Sequence, residues 1–217
     1  MISMDIILII PILIGWLAGL IVNYLADVLP VTRSFSQPTC PQCDAQFAWK
    51  GYLLFQPCPN GHARRFRLWI VQLVMMAIST YIWIKPPSKL GYLLGLPLII
   101  YFGIVFVIDM EHRLILHPTS IFGSFLGLIA GTVAHGVKNT LLGGLGGLLL
   151  MLVFYYFGVL FARARTRRML AMGQEADDEE ALGAGDVILI TILGFILGWE
   201  WIWTGLLFGI LRGGFFS

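Results

Sequence analysis

Residues 6–25 read IILIIPILIGWLAGLIVNYL, and this run decides the fold class. It holds no charged side chain. A helix that crosses a bilayer needs about 20 mostly apolar residues, because the hydrocarbon core is about 30 Å thick and an α-helix rises about 1.5 Å per residue. The run has no basic leader, is longer than a secretory apolar core, and is followed by no small-x-small cleavage site. It therefore reads as a permanent helix and not as a removed signal. Five further stretches follow: Leu68–Ile84, Leu90–Ile108, Leu116–Val137, Leu141–Phe161 and Val187–Trp203. A seventh, Thr204–Phe216, is short and carries Arg212. The chain stops at Gly213-Gly214-Phe215-Phe216-Ser217, inside an apolar pattern, so a final part of the fold is expected to be missing or to come from another chain.

The composition agrees. Apolar residues make up 58% of the 217 and charged residues 12%, with a mean hydropathy of +0.85. A soluble domain is about 45–50% apolar and about 25% charged, so the solvent for this chain is lipid. The net charge of +2 carries no signal for nucleic acid, and no nucleic-acid partner is expected. The expected fold class is an all-α polytopic membrane protein with at least six transmembrane helices and a small cytoplasmic zinc-knuckle-like loop. Its parts are a first helix in 1–30, a cysteine-containing loop in 31–67, and a catalytic bundle in 68–217.

Charge then orients the spans. Arg33, Lys50, Arg64, Arg65, Arg67, Arg113, Arg163, Arg165, Arg167 and Arg168 fall in loops on one side; Lys85, Lys89 and Lys138 fall on the other. Basic residues gather on the cytoplasmic side, which places the N-terminus outside. Gly127 with Gly131, and Gly143 with Gly147, sit four apart, a spacing that lets membrane helices approach closely. The basic cluster Arg163–Arg168 and the acidic run Glu175–Glu180 read as one solvated, mobile loop without chemistry.

The loop between the first two spans contains Cys40-Pro41-Gln42-Cys43 and Cys58-Pro59-Asn60-Gly61-His62. Two cysteines separated by two residues form a tight turn whose thiolates share one metal, and a second turn completes a tetrahedral set. Cys40, Cys43, Cys58 and His62 make a Cys₃His set suited to structural zinc. Three cysteines on a reducing side argue against a disulfide, and unbound or redox-active cysteines stay open as the other reading.

Ionisable residues at span edges are functional candidates. Asp5, Asp27 and Glu200 read as solvated end markers. Asp109 closes the third span in Val107-Ile108-Asp109-Met110-Glu111-His112-Arg113, and Asp186 opens the sixth in Gly183-Ala184-Gly185-Asp186-Val187-Ile188. The charge orientation delivers both to the cytoplasmic edge at similar depth. Two close carboxylates share one proton and supply both a general base and a general acid, as aspartic proteolysis requires. Gly183 and Gly185 permit close approach of a peptide strand. The residues alone leave other readings open: an ion or small-molecule transporter using the aspartates as an ion or proton site, aspartates that only cap helix ends, and an inactive scaffold.

Gly183-Ala184-Gly185-Asp186 resembles the signature of GxGD intramembrane aspartic proteases, and the chain resembles the type IV prepilin leader peptidase family within that group. The ordered set that carries the likeness is Asn23 to Pro30, the cysteine loop, Arg67 through Leu73, Ile108-Asp109 followed by His117-Pro118, and the GxGD segment. The resemblance implies cleavage of a short basic leader from prepilins and pseudopilins at the cytoplasmic face of the inner membrane, performed by the two aspartates. It also implies, for many members, methylation of the new N-terminus with S-adenosylmethionine. The chain departs from the family where a second Cys-x-x-Cys is replaced by Cys58 and His62, and where Gln72 stands in place of an acidic residue. Both departures lie in the region associated with methyl transfer.

Overall fold

The computed structural model describes the backbone of residues 4–171 and 184–215. Among these residues the chain is all-helical: α1 (Met4–Thr32), α2 (Trp49–Leu53), α3 (Arg67–Ile84), α4 (Gly91–His112), α5 (His117–His135), α6 (Val137–Ala171) and α7 (Ala184–Phe215). Five of them, in α1, α3, α4, α6 and α7, are long and apolar enough to cross a membrane. The fourth expected span, Leu116–Val137, forms the 19-residue α5, whose opening turn His117-Pro118-Thr119-Ser120 dilutes its apolar character. Large apolar side chains such as Ile9, Leu13 and Leu17 on α1 and Leu145, Leu149 and Val153 on α6 face outward, a surface suited to lipid tails and not to water.

The chain divides into two compact units, Met1–Thr119 and Ser120–Ser217. In the first, α1 lies against α3 and α4. Its core gathers Ala18, Val22, Ala26 and Leu29 from α1, Met75 from α3, and Ile104, Val107 and Ile108 from α4, with Leu116 beside them. Helices α1 and α3 run antiparallel through small residues. A Cβ on Gly15 would lie 2.7 Å from the Met76 Cα, and one on Gly19 would lie 2.7 Å from Gln72 Oε1. Polar side chains lock this register. Ser79 Oγ donates to the Pro11 carbonyl at 2.7 Å, Gln72 Nε2 to the Trp16 carbonyl at 2.5 Å and Asn23 Nδ2 to the Leu68 carbonyl at 3.2 Å.

In the second unit, all four glycines singled out by spacing face α7. Gly127 and Gly147 approach the carbonyls of Ile192 and Ile190, at 3.3 and 2.9 Å from an added Cβ; Gly131 meets the Phe195 carbonyl and Gly143 the Gly194 carbonyl. Helix α6 is antiparallel to α7, with Gly143 near Gly198 and Gly147 near Ile190. A single residue, Gly136 at φ 83°, joins α5 to α6. Lys138 consequently sits in the first turn of α6 and not in a loop.

One further expectation needs correction. Arg163–Arg168 is not loop: α6 continues through it to Ala171. Arginine, alanine, methionine and leucine are strong helix formers, and cations suit a helix C-terminus. The acidic run Glu175–Glu180 lies outside the described residues. The sixth expected span is found, as Gly185–Gly205, with a break inside it: Gly198 interrupts α7 at φ 74°, ψ 177°. His135 fits into this break: its ring occupies the space a Cβ on Gly198 would take, and its Nε2 donates to the Ile196 carbonyl at 3.1 Å.

Candidate functional site

The loop of residues 33–66 organises two turns that face each other. In the first, Cys40 N–H donates to the Ala45 carbonyl at 2.9 Å and Asp44 N–H to the Cys40 carbonyl at 2.8 Å. In the second, Cys58 N–H donates to the His62 carbonyl at 3.0 Å and Gly61 N–H to the Cys58 carbonyl at 2.8 Å. Gly61, at φ 81°, takes a left-handed conformation that the turn demands and glycine supplies without strain. The result brings all four expected ligands together: their donor atoms lie within 4.8 Å of one another.

Cys43 Sγ is 3.4 Å from Cys58 Sγ, and Cys40 Sγ is 3.9 Å from His62 Nδ1. A tetrahedral ion with zinc–sulfur bonds of about 2.3 Å sets its ligand atoms about 3.8 Å apart. The three thiols form no disulfide. The group can thus hold a metal such as zinc, on its donor set and on its spacing. Hydrogen bonding from the Ala45 backbone, aided by neighbouring thiols, holds the Cys43 thiol down at about 6, while burial pushes Cys58 up. Beneath the ligands, Cys40 and Cys58 pack with Phe47 and Tyr52. The Arg64 guanidinium lies 4.1 Å from the centre of the Phe47 ring and 4.3 Å from that of Tyr52, a cation–π arrangement worth about 0.5–1 kcal/mol per exposed pair.

Asp27 corrects its reading as a solvated end marker. Its side chain is half-buried; one oxygen accepts from the Tyr52 hydroxyl at 2.5 Å and the other pairs with Arg67 Nη2. Arg67 Nη1 reaches Glu111 Oε2 at 2.9 Å, and Arg65 Nη1 reaches Glu111 Oε1 at 3.1 Å. This carboxylate–arginine series escaped the sequence reading. Burial first, and the Asp27 charge second, push the Tyr52 hydroxyl far above the ordinary tyrosine range. Tyr52 therefore remains a donor at any physiological pH. Asp5 has no described side chain, and Glu200 is exposed just beyond the break in α7.

Asp109 occupies the last turn of α4, where Ile108 points inward at 2% exposure and Asp109 outward. The turn closes when Arg113 N–H donates to the Asp109 carbonyl at 2.9 Å. Arg113 adopts φ 51° to do so, a left-handed conformation that costs an ordinary residue roughly 1–2 kcal/mol. Asp186 occupies the first turn of α7, exposed, with Gly185 before it and the buried Val187 after it. Its carboxylate is well placed for the positive N-terminal end of the helix. Gly183 lies outside the described residues. Neither aspartate forms an ion pair among the described residues.

No curated protein and no solved structure matches the chain. A family model does, over residues 96–217, a segment that contains both Asp109 and Asp186. That match spans more than half of the chain, and the chain belongs to the type IV leader peptidase family.

Proposed function

We propose that the chain is a prepilin peptidase that removes the leader of type IV prepilins and pseudopilins, with Asp109 and Asp186 as its catalytic pair. The observation that carries this reading is that the family match includes both residues. The exposed position of each carboxylate in a terminal helix turn supports it. In this reading the carboxylates share one proton. The ionised member takes a proton from the attacking water, and the protonated member donates to the scissile carbonyl. The two roles belong to the pair and not to fixed residues. Gly183 and Gly185 leave room for an extended peptide beside Asp186.

The distribution of basic residues supports a cytoplasmic active face in the inner membrane, with the N-terminus outside. Cys40, Cys43, Cys58 and His62 would hold a structural zinc with no open position, bracing a loop that has little apolar core. Metal analysis of reduced protein should find about one zinc per chain.

The decisive experiment incubates purified protein with a prepilin and compares wild type with Asp109→Asn and Asp186→Asn. Each substitution removes the shared ionisable pair, so each should abolish leader loss; full activity in either would reject the mechanism. Labelled S-adenosylmethionine in the same assay tests methyl transfer, for which Gln72 and the Cys58–His62 turn are the departures from the family pattern.

A further inference from the structure

Asp109 and Glu111 leave the same turn of α4 and are treated differently. Asp109 is exposed and unpaired among the described residues, whereas Glu111 is gripped by Arg65 and Arg67 from the entrance of α3. Arg67 is the branch point. One of its terminal nitrogens holds Glu111 and the other holds Asp27 on α1. A guanidinium can do this because its donors diverge in one rigid plane; a lysine ammonium is a point charge and lacks that fork. Asp27 in turn is held by the Tyr52 hydroxyl, and the Tyr52 ring is packed with Cys40, Phe47 and Cys58. An unbroken series of contacts therefore runs from the cysteine turns to the helix turn that carries Asp109.

That turn needs a tether. It ends in the left-handed Arg113, whose N–H closes on the carbonyl of Asp109 itself. A helix end of this kind frays easily when nothing outside it holds the last residues. Ile108 anchors one side in the apolar core, and the Glu111–Arg67 pair anchors the other. Loss of the pair would let Asp109 swing with the fraying turn.

We infer that Arg67 is a positioning residue for Asp109, and that Tyr52 and Asp27 tie this position to the folded cysteine loop. The inference rests on the reading of Asp109 as one of the catalytic pair, and it concerns geometry and not proton transfer.

Two variants of the full-length protein in detergent test it. Arg67→Lys keeps the charge and removes the fork; Tyr52→Phe keeps the ring and removes the hydroxyl. Hydrogen exchange at the amides of 109–113 should quicken about fivefold or more in Arg67→Lys, and by a smaller factor in Tyr52→Phe, while α6 stays unchanged. Wild-type exchange at 109–113 in both variants overturns the inference. In prepilin cleavage, Arg67→Lys should lower kcat about tenfold or more with KM nearly unchanged. Adding Tyr52→Phe should cost nothing further, because both act through one series. A raised KM with intact kcat, or multiplying losses, overturns it. Should the wild type cleave no prepilin, the protease reading fails, while the exchange measurement still decides the tether.

Discussion

The antiparallel pairs α1–α3 and α6–α7 are both closed by glycine, yet they are fastened by different chemistry. Between α1 and α3, Gly15 admits the Met76 backbone and the Ser79 side chain, Gly19 admits the Gln72 side chain, and Ser79, Gln72 and Asn23 hydrogen-bond across the seam. Between α6 and α7 the glycines admit backbone against backbone, with Gly143 on Gly194 and Gly147 on the Ile190 carbonyl. Lipid tails are as apolar as leucine, so burying apolar surface does not by itself drive helices together in a membrane. The two pairs show two solutions, directional polar bonds in one and close dispersion contact in the other. At Gly19 the first can adjust by moving a side chain; at Gly143 the second cannot, because backbone lies opposite.

That contrast can be broken in steps. The largest effect is expected from Gly143→Val, whose Cβ would fall on the backbone of Gly194 and Gly198. Neither backbone can yield, so a loss of about 3 kcal/mol or more is expected, read as collapse of thermal stability in detergent. Ser79→Ala comes next. It removes a second donor from the Pro11 carbonyl and the partner of the Tyr92 hydroxyl, 2.9 Å from Ser79 Oγ, which should cost about 1–2 kcal/mol in the same measurement. Gly19→Ala should cost less than Gly143→Val, about 1 kcal/mol, because the Gln72 amide it meets is the end of a flexible side chain. Equal losses for the two glycine variants would refute the contrast.

The smallest effect leaves stability alone and probes the polar fastening where the first unit reaches water. A thiol whose value is lowered is ionised above that value. In metal-free protein, alkylation of Cys43 should therefore rise with a midpoint near its value of about 6. Cys58, pushed upward by burial, should need alkaline solution. Mass spectrometry of alkylated peptides across pH checks both, and a midpoint for Cys43 no lower than that of Cys58 would overturn this expectation.

Much of this was legible because it is written in local spacing. Apolar runs long enough to span a bilayer announced α1, α3, α4, α6 and α7; two short turns announced Cys40, Cys43, Cys58 and His62; glycines four apart announced the faces that meet α7. The ends of α4 and α7 placed Asp109 and Asp186 in terminal turns. What escaped the sequence depends on partners distant along the chain. Asp27 looks like a solvated end marker until the loop folds Tyr52 onto it and α3 delivers Arg67. Glu111 acquires meaning through the same arginine. Arg163–Arg168 carries enough charge to read as a loop, yet its residues favour helix and α6 runs through it. Gly198 is one of 25 glycines, and nothing in its neighbours distinguishes a glycine that breaks a helix from one that packs it.

Gly198 also bears on how α7 lies in a bilayer, since it falls inside the candidate span Gly185–Gly205. Unbroken, the 32 residues of α7 would form a rod of about 48 Å, well beyond a hydrocarbon core of about 30 Å. The left-handed residue divides that rod, so the leading piece keeps its own axis with Asp186 at its tip and the trailing piece takes another. His135, gripping the Ile196 carbonyl at the division, turns the break into a fixed elbow. The helical hydrogen-bond ladder therefore does not run continuously from the trailing piece to the aspartate at the far end of the leading one.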